Sequence, residues 1–587
     1  MMKNKALTVS SLAAVTTLVL AACAPAATPV PKPTDAPKPA ATAAPAPTMA
    51  PAPTTAPAPT AAPKPTEAPK PAEFKPSKLE SPDCKAGEIK SMESVDKLTF
   101  KFTLCEPDPA FPYKVTGNSF GIHQKDVLEK SGGDAKKISE NPVGTGPYTL
   151  KEWKRGDSVN FTANDKWWGG AIKNKGLVIR WSKEAAQALL ELKSGNADAI
   201  EKVATEDFDA VKKDPKLKLV PIEPLNIFYV GLNNTKAPFD NEKVRQAFAM
   251  AIDRKKIIDD YYPAGSLVAN SFVPPSFVPG SSPNVKYWEY DPKKAKAMLE
   301  EAKFDFNKEI PLGYREVVRV YLPSPGKVGQ EIQAQLKQIG VKIKLEPKES
   351  GTFLKSAAAG NETMTLLGWG ADYPDATNFY DTHVGPNKKD FGKPWDDIVA
   401  QMRIGGTTSD NAKRQAAYDK VNELIKQHVP MIPIAHGFSA QGYSAAVEGA
   451  HANPLTPNEY HKMKGAKDTF VYVQAGEPIS LDCADESDGE TFNVCGQIYE
   501  QLLSFKPGTV EIAPALATEY KGNPEATEWV FKLRPGVKFH NGAELDANDV
   551  FISFARQWDA SHPLHKGNTG DFGYFSDYFG GFLNAKK

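Results

Sequence analysis

Residues His461–Gln474 read HKMKGAKDTFVYVQ, and two patterns of secondary structure meet within this stretch. Before it, the apolar run Val429–Ala435 predicts a strand, and the polar sequence that follows is typical of a fold that is ending. After it, the β-branched and aromatic residues of Thr469–Gln474 predict a strand that begins a new series of elements. This order indicates a permuted chain, in which residues 466–587 belong architecturally before residue 78.

Strands and helices alternate on both sides of this join. Leu177–Trp181 is predicted as a strand, and Lys183–Lys193 as a helix with an apolar alanine and leucine pattern. A longer helix is predicted over Asn241–Tyr261, and another over Phe492–Leu503. Such alternation indicates an α/β fold built on βαβ units.

The composition excludes some classes of function. The 587 residues carry 71 basic and 71 acidic side chains, so a nucleic-acid or polybasic membrane surface has no electrostatic support. The length and a 41% hydrophobic content predict about two to four domains with large cores. The sequence has no CxxC pair and no cysteine–histidine cluster with zinc spacing, so we expect no metal and no cofactor.

The first 77 residues predict export and anchoring. Two lysines precede the apolar stretch Ala6–Ala22, which is short for a membrane span and typical of a signal peptide over residues 1–22. Leu20–Cys23 (LAAC) resembles the lipobox of bacterial lipoproteins, which implies acylation of Cys23; the alternative is an ordinary signal peptide with an incidental cysteine. Residues 23–77 are rich in proline, alanine and threonine and predict a disordered, stiff tether, with a proline-motif ligand as the alternative.

Six segments of the chain together resemble one family. The most specific is Ala513–Arg556, which contains APALATEY and WVFKLRPGVKFHNGAELDANDVFISFAR. The others are NPVGTGPYTL (Asn141–Leu150), NDKWWGG (Asn164–Gly170), FDNEKVRQAFAMAID (Phe239–Asp253), YDPKKAKAMLEEA (Tyr290–Ala302) and GWGADYPDATNF (Gly368–Phe379). They resemble the bacterial extracellular solute-binding proteins of the dipeptide/oligopeptide type (family 5), which are receptors of ABC importers. The resemblance implies a two-lobed α/β fold of the type II periplasmic-binding-protein class.

In this chain the order of the family's parts is broken once. In the family, the portion that matches residues 466–587 comes first and the portion that matches residues 78–465 comes second. This implies a circular permutation, or a misassembled or recombined gene that reads as one. The implied lobe I comprises residues 78–232, 433–465 and 466–587, and the implied lobe II comprises residues 233–432.

The lobe assignment carries two structural expectations. The chain would cross between the lobes near Leu232–Asn234 and near Ile432–Ala435. A permuted fold should also bring the C-terminal end of the chain close to residues 78–87 on the surface, because the termini of compact domains are exposed and often adjacent.

Three residues of the GWGADY segment are predicted to bind the ligand. Asp372 matches the family position whose carboxylate takes the α-ammonium of a peptide, so the resemblance implies the same role here. Trp369 and Tyr373 flank it and would form the wall of a side-chain pocket. The alternatives are a turn or capping role for the aspartate and core packing for the two aromatic residues.

Other candidate ligand contacts lie elsewhere in the chain. Gln474, Gly476 and Glu477 end or follow the first strand after the join, where family members line the cleft; core packing or turn formation is the alternative. Dipeptide-specific members use an arginine for the ligand's carboxylate in the stretch that matches Tyr321–Gln335, and here that stretch offers only Lys327. A lysine lacks the bidentate fork of an arginine, so longer peptides or a non-peptide solute stay open.

Four cysteines remain after Cys23, in a compartment where disulfides are expected. Cys84 and Cys105 flank a predicted hairpin, and Cys483 and Cys495 lie twelve residues apart across a polar loop. We therefore favour the disulfides Cys84–Cys105 and Cys483–Cys495 among the three possible connectivities.

The resemblance implies a lipid-anchored receptor of an ABC importer and no enzymatic activity. As a monomer on the outer face of the cell membrane, it would capture di- or oligopeptides between its lobes and deliver them to separate permease and ATPase chains. Alternatives are a receptor of the same fold for a nickel chelate or an oligosaccharide, a surface scaffold domain, and a non-functional product of gene rearrangement. An exported hydrolase is disfavoured, because GNSFG (Gly117–Gly121) lacks the flanking strand and helix that Ser119 would need as a nucleophile.

Overall fold

The computed structural model describes residues 73–585. The predicted signal peptide, the lipidation site Cys23 and the tether up to residue 72 lie outside the described residues, as do Lys586 and Lys587. Between residues 73 and 585, no helix combines the length and the apolar character that crossing a membrane requires.

Strands and helices alternate through the described chain. The strands are β1 Lys78–Glu80, β2 Ile89–Asp96, β3 Thr99–Leu104, β4 Tyr148–Lys154, β5 Ser158–Ala163, β6 Gly176–Trp181, β7 Ala199–Ile200, β8 Leu217–Ile222, β9 Asn226–Leu232, β10 Leu267–Val268, β11 Glu309–Tyr314, β12 Lys342–Pro347, β13 Met364–Gly370, β14 Met431–His436, β15 Ser439–Ser444, β16 Thr469–Gln474, β17 Leu503–Phe505, β18 Ile512–Pro514, β19 Ala517–Gly522 and β20 Glu528–Leu533. The α-helices are α1 Phe111–Lys114, α2 Lys125–Ser131, α3 Ala135–Glu140, α4 Ala185–Lys193, α5 Phe208–Lys213, α6 Glu242–Ala251, α7 Arg254–Tyr261, α8 Pro292–Glu301, α9 Pro325–Gln338, α10 Ser350–Ala358, α11 Thr377–Val384, α12 Asp396–Thr407, α13 Asn411–His428, α14 Gly489–Cys495, α15 Ala547–Trp558 and α16 Gly573–Phe579.

Three main sheets organise these elements. A seven-stranded sheet has the order β4-β5-β6-β16-β7-β15-β8, and a five-stranded sheet has the order β1-β2-β3-β20-β19. A six-stranded sheet has the order β10-β14-β9-β13-β11-β12, and β17 pairs with β18 alone. The mixed sheets with helices between their strands confirm the α/β class that the sequence predicts.

The six-stranded sheet defines lobe II, residues 226–436, and the other two main sheets define lobe I. The chain crosses between the lobes at residues 223–225, between β8 and β9, and at residues 437–438, between β14 and β15. The crossovers expected near Leu232–Asn234 and Ile432–Ala435 are therefore wrong. β9 and β14 pair with each other inside lobe II, and both are fully buried, so the lobe boundary lies at the start of β9 and at the end of β14.

The segment after the join completes sheets whose other strands come earlier in the chain. β16 runs parallel to both β6 and β7, with Thr469 opposite Gly176 and Tyr472 opposite Ala199. β20 pairs with β3, and Phe102 of β3 packs edge-on against Phe531 of β20, with ring centroids 6.0 Å apart. Residues 466–585 are therefore part of lobe I and not a second domain.

The C-terminal end of the described chain meets the beginning of the fold. Glu88 N donates a hydrogen bond of 2.6 Å to Phe579 O, and Trp558 Nε1 donates one of 3.2 Å to Ala86 O. Gly87 has a φ of +93° and packs so closely on Phe579 that a Cβ atom would not fit. The adjacency that a permuted order predicts is present in the structure.

Two predicted helices differ from the structure. The helix predicted over Asn241–Tyr261 is wrong as one element: it breaks at Ile252–Asp253, where the Asp253 carboxylate accepts a hydrogen bond from Lys256 N and caps α7. The helix predicted over Phe492–Leu503 is wrong beyond Cys495. There the chain turns extended, because Ile498 O and Glu500 O accept hydrogen bonds from Gly146 N and Ile122 N.

The last residues assigned to the tether belong to the folded body, so a tether boundary at residue 77 is wrong. Phe74 packs against the apolar core of lobe I, and Ser77 N donates a hydrogen bond of 2.7 Å to Ser94 Oγ. Lys75 O accepts a hydrogen bond from Asn548 Nδ2. The composition does not change at Phe74, since proline and lysine continue on both sides of it.

The structure contains both disulfides favoured from the sequence. Cys84 is bonded to Cys105, with their Cα atoms 5.8 Å apart, and Cys483 is bonded to Cys495 at a Cα separation of 6.4 Å. The first closes the β2–β3 hairpin at its open end. The second joins the loop after β16 to the end of α14, beside the interface between the lobes.

Candidate ligand-binding cleft

Asp372 lies in the loop between β13 and α11 of lobe II, and Asn378 holds it in place. Asn378 Oδ1 accepts hydrogen bonds from Asp372 N at 3.0 Å and from Trp369 Nε1 at 3.1 Å. Asn378 Nδ2 donates to Asp372 Oδ2 at 3.3 Å. One amide on α11 therefore fixes both the aspartate and the tryptophan at the carboxyl end of β13.

Two tyrosines of α16 reach the same aspartate from lobe I. Tyr574 OH donates a hydrogen bond to Asp372 Oδ1 at 3.2 Å, and Tyr578 OH donates one to Asp372 O at 2.9 Å. The rings of Tyr578 and Tyr373 lie 5.3 Å apart. Asp372 thus lies at the interface of the two lobes, and the contact joins residues about 200 positions apart in the chain.

The environment of Asp372 disfavours its ionised form. Burial raises its pKa to about 6, the hydrogen bonds from Asn378 and Tyr574 lower it in part, and the negative charge of Asp577 raises it again. Among residues 73–585, no lysine, arginine or histidine forms a salt bridge with this carboxylate. A cation that entered the cleft would stabilise the carboxylate and lower its pKa.

The two aromatic neighbours of Asp372 are placed differently. Trp369 is half-buried and packs edge-on against His383, with ring centroids 5.3 Å apart, so one part of the indole stays accessible. Tyr373 is buried: its hydroxyl accepts a hydrogen bond from Thr377 Oγ1, and Lys114 Nζ lies 5.8 Å from its ring centroid. The pocket role stays a prediction for both, and the geometry favours Trp369.

Gln474 and Gly476 lie in lobe I at the end of β16. The Gln474 side chain is buried, with Nε2 donating to Gly476 O at 2.8 Å and Oε1 accepting from Asn493 Nδ2 at 2.9 Å. These bonds brace the loop before α14. Phe492 of α14 in turn packs edge-on against Tyr574 at 5.6 Å, so Gln474 supports the wall of the cleft from behind.

Glu477 joins this loop to the β4–β5 hairpin. Its carboxylate accepts hydrogen bonds of 3.2 Å from Trp153 Nε1 and from Gly156 N. The side chain is half-buried and occupied by these contacts. A direct ligand contact stays a prediction for Gln474, Gly476 and Glu477, and in this structure they act as supports.

The expected cation Lys327 is exposed on the first turn of α9, and its Nζ atom makes no side-chain hydrogen bond to another residue between 73 and 585. Arg319 lies earlier in the same β11–α9 connection. The Tyr321 ring, two residues after it, packs directly over Gly368, next to Trp369. Arg319 is exposed, and its guanidinium bonds only to Val318 O of its own loop among the described residues.

Sequence reasoning missed Arg319 because the matched stretch began at Tyr321, two residues too late. It also missed Asn378, Tyr574 and Tyr578. Asn378 lies in the GWGADYPDATNF segment and could have been found there. The tyrosines could not, because aromatic residues in a loop-rich segment are most simply read as core packing, and only the fold brings α16 to β13.

Further carboxylates surround the cleft. Asp381 on α11 is accessible, yet protein atoms enclose it on most sides, and burial raises its pKa to about 7. Burial also raises the pKa of Asp577 on α16, and Lys388 lowers both pKa values in part.

The hydrolase alternative finds no support at Ser119. Its side chain is 1% exposed and lies in a short 3-10 helix over Asn118–Phe120, without a buried strand before it. Among the described residues, its Oγ atom has no hydrogen-bond partner. A nucleophile needs both a base and access to substrate, and this serine has neither.

Comparison with known proteins agrees with this two-lobed arrangement. The family model described as bacterial extracellular solute-binding proteins, family 5 middle, matches residues 42–391 and 511–573. The chain belongs to this family. The prediction of the family is confirmed, and its members are described by the solutes they bind.

The individual relatives are named after different ligands. Di/tripeptide-binding protein 1 of Pseudomonas aeruginosa is 30% identical over 388 residues, which cover 65% of this chain and 72% of the relative. Heme-binding protein A of Haemophilus influenzae is 29% identical over 375 residues, covering 62% and 68%. The solved structure of HbpA2 from Haemophilus parasuis is 30% identical, with a TM-score of 0.60 over 65% of this chain and 76% of that chain.

Proposed function

We propose that this protein is the receptor of an ABC importer and captures peptides in the cleft between its lobes. The observation that carries the proposal is Asp372, a desolvated carboxylate at the lobe interface without a cation partner among the described residues. A peptide's α-ammonium supplies the missing charge. The name of the di/tripeptide-binding relative supports the same ligand class.

Arg319 is the better candidate for the peptide's carboxylate. Its loop packs on Gly368, close to Trp369, and its guanidinium has no acidic partner within residues 73–585. Two parallel hydrogen bonds from a guanidinium match a carboxylate, whereas Lys327 offers a single point charge. Lys327 stays the alternative, and substituting each residue in turn by methionine separates the two.

Tyr574 and Tyr578 form hydrogen bonds that would stabilise a closed arrangement of the two lobes. Both phenols belong to lobe I and both bond to Asp372 of lobe II, so they favour the closed arrangement of the lobes. The two crossovers, residues 223–225 and 437–438, are short connections at which the lobes can rotate. Ligand binding would add contacts to both lobes and shift the population towards the closed state.

Heme is a second candidate ligand, because one relative is named for it. Heme carries two propionates, which are anionic at neutral pH. Asp372, Asp381 and Asp577 would repel them, so the charge of this cleft favours a peptide. A nickel chelate or an oligosaccharide has no specific observation in its favour.

Anchoring and delivery follow from the proposed receptor role. Acylation of Cys23 would hold the protein at the outer face of the membrane, and the proline-rich tether would let it reach the permease. The permease and the ATPase are separate chains in this proposal, and the receptor acts as a monomer.

The permuted order is also part of the proposal. It is supported by the insertion of β16 between β6 and β7 and by the contact between Ala86–Glu88 and Phe579–Gly581. A reordered gene that places residues 466–587 before residues 78–465 should yield a protein with the same circular dichroism spectrum and ligand preference. A misfolded product would contradict the permutation.

The ligand class is tested by native mass spectrometry of the purified full chain, followed by a thermal-shift screen. The panel contains di- and tripeptides, heme, nickel–histidine and maltooligosaccharides. A ligand at 100 times its Kd stabilises the folded state by about 2.7 kcal/mol. A shift with peptides alone supports the proposal, and a shift with heme and no shift with peptides contradicts it.

A further inference from the structure

A pair of unpartnered carboxylates lies in the loop between β16 and α14 of lobe I. The Glu486 side chain is only 7% exposed, and its Oε1 atom has no hydrogen-bond donor among the described residues. Asp488 uses Oδ1 to cap α14 by accepting from Thr491 N at 2.8 Å, and its buried Oδ2 has no partner there either. Two acceptor atoms of one loop, on residues two positions apart, are therefore buried without a donor among the described residues.

This pair is adjacent to the cleft that contains Asp372. Phe492, one turn into α14, packs edge-on against the Tyr574 ring at 5.6 Å. The negative charges of both Asp372 and Asp488 raise the pKa of Tyr574, after burial as the main cause. The Tyr574 side chain thus contacts both Asp372, through its hydroxyl, and α14, the helix that Asp488 caps.

The loop that carries the pair is rigidly attached to α16. Asp485, directly before Glu486, accepts hydrogen bonds from Gly570 N at 2.7 Å and from Phe572 N at 2.6 Å. Phe572 N is the last main-chain donor before α16 begins at Gly573. The positions of Glu486 and Asp488 relative to Tyr574 are therefore fixed by the fold.

Folding alone does not account for the arrangement. Burial, followed by the charges of Asp488 and Asp485, raises the pKa of Glu486 to about 7, although a hydrogen bond from Asn568 lowers it in part. A buried polar group without a partner costs free energy, and a second carboxylate beside it adds repulsion. Groups with such a cost are common at ligand sites, where the ligand supplies the missing partner.

We propose that Glu486 and Asp488 form a second cation subsite, so that the cleft selects ligands with two positive charges. This inference rests on the proposed function: one charge is the α-ammonium at Asp372, and the other is a lysine or arginine side chain of the same peptide. A diamine carries the same two charges, and the experiment separates these two sources. A guanidinium or ammonium donor between the two carboxylates satisfies both unpartnered oxygens.

The test is isothermal titration calorimetry of the full chain with matched ligands. The peptides are Ala-Lys-Ala and Ala-norleucine-Ala, which differ in the terminal charge of one side chain and little else, and the diamine is putrescine. Ala-Lys-Ala should bind at least about tenfold tighter than the norleucine peptide. Tighter binding of putrescine than of both peptides supports the same subsite and assigns it to diamines.

Variants assign the effect to the pair. In Glu486→Gln and in Asp488→Asn, the preference for lysine over norleucine should fall to about threefold or less, while the affinity for the norleucine peptide stays within about twofold. Retained binding of norleucine shows that the variant is folded. Asp571→Asn, an exposed carboxylate in the neighbouring loop, is the matched control and should keep the full preference.

The outcomes separate the two proposals. Equal binding of the lysine and norleucine peptides by the unmodified protein overturns the second subsite and leaves the peptide receptor intact. An undiminished lysine preference in both variants also overturns it. Binding of neither peptide overturns the proposed function itself.

Discussion

Asp482 and Asp372 are both shielded from water, yet only Asp482 has a positively charged partner. Asp482, in the core of lobe I, is fully buried and forms a bidentate pair with the fully buried Arg556, with Arg556 Nη1 2.9 Å from Asp482 Oδ2. Burial alone would raise the pKa of Asp482, but Arg556 more than offsets this and lowers it. Asp372 has only neutral donors, Asn378 and Tyr574, and its pKa rises to about 6. The buried carboxylate in the core is therefore paired with a cation, whereas the carboxylate at the lobe interface is not.

The largest expected effect is on stability, and it comes from removing the cation partner of Asp482, so that this carboxylate is unpaired like that of Asp372. Arg556→Met leaves a buried carboxylate unpaired and should lower the free energy of unfolding by about 3–5 kcal/mol, measured by urea denaturation. Arg403→Met is the control, because its ion pair with Glu106 spans 3.7 Å on the surface and should matter by less than about 0.5 kcal/mol. A loss below about 1 kcal/mol in Arg556→Met would break the contrast.

The converse change at the cleft should affect binding and spare stability. Asp372→Asn removes the carboxylate proposed to bind the α-ammonium, so peptide affinity should fall about 100-fold, while the melting temperature stays the same or rises. Calorimetric titration and thermal unfolding measure the two quantities. Glu525→Gln, an exposed carboxylate far along the chain, should change neither. A large loss of stability in Asp372→Asn would mean that the aspartate is structural.

The raised pKa of Asp372 predicts that binding depends on pH. The free protein holds a proton on this group below about pH 6, and an ammonium ligand binds the ionised form. Affinity for a peptide without titrating side chains should therefore fall about tenfold from pH 7 to pH 5. The same titration of Asp372→Asn should lack this component. An unchanged profile in the variant would assign the pH dependence to another group.

The smallest expected effect concerns the contact across the lobes. Tyr574→Phe removes one hydrogen bond to Asp372 and keeps the ring against Phe492, so peptide affinity should fall about three- to tenfold. Small-angle scattering of the ligand-free protein should report a larger radius of gyration, because the closed arrangement loses a contact. Tyr520→Phe on the surface of β19 is the control. A more compact variant would argue against the closing role of Tyr574.

Local pattern predicted much of the fold. Thr469–Gln474 was expected as a strand from its β-branched and aromatic residues and is β16 over the same six residues. α15 begins directly after Asp546, where Asp546 and Asp549 form a capping box, a helix-start pattern between residues three positions apart. These elements follow from side chains close in sequence, so their signal is contained in the sequence itself.

Elements decided by distant contacts were not predicted. α16 begins after Phe572, a non-glycine residue with a φ of +41°, and its position depends on the hydrogen bonds that the Asp485 carboxylate accepts from Gly570 N and Phe572 N. The lobe boundaries failed for the same reason, because β9 reads as a buried strand in either lobe and only its pairing with β13 and β14 decides. At the site, the family motif indicated Asp372, whereas the hydroxyl donors Tyr574 and Tyr578 could be identified only in the structure.

The site was only half visible in the sequence because its groups lie on both sides of the join at His461–Gln474. The loop with Glu486 and Asp488, and the helix with Tyr574, lie after the join, whereas Asp372 lies before it. In space, Tyr574 bonds to Asp372 and packs on Phe492. The fold therefore brings together groups that are far apart along the chain.

We propose above all that the carboxylate of Asp372, which has no cation partner among the described residues, binds the ammonium group of a ligand. Calorimetric titration of the full chain with Ala-Lys-Ala and with its N-acetylated form tests this directly, because acetylation removes that one charge and little else. We expect the free peptide to bind and the acetylated peptide to bind about 100-fold more weakly. Equal affinities for the two peptides would contradict the account.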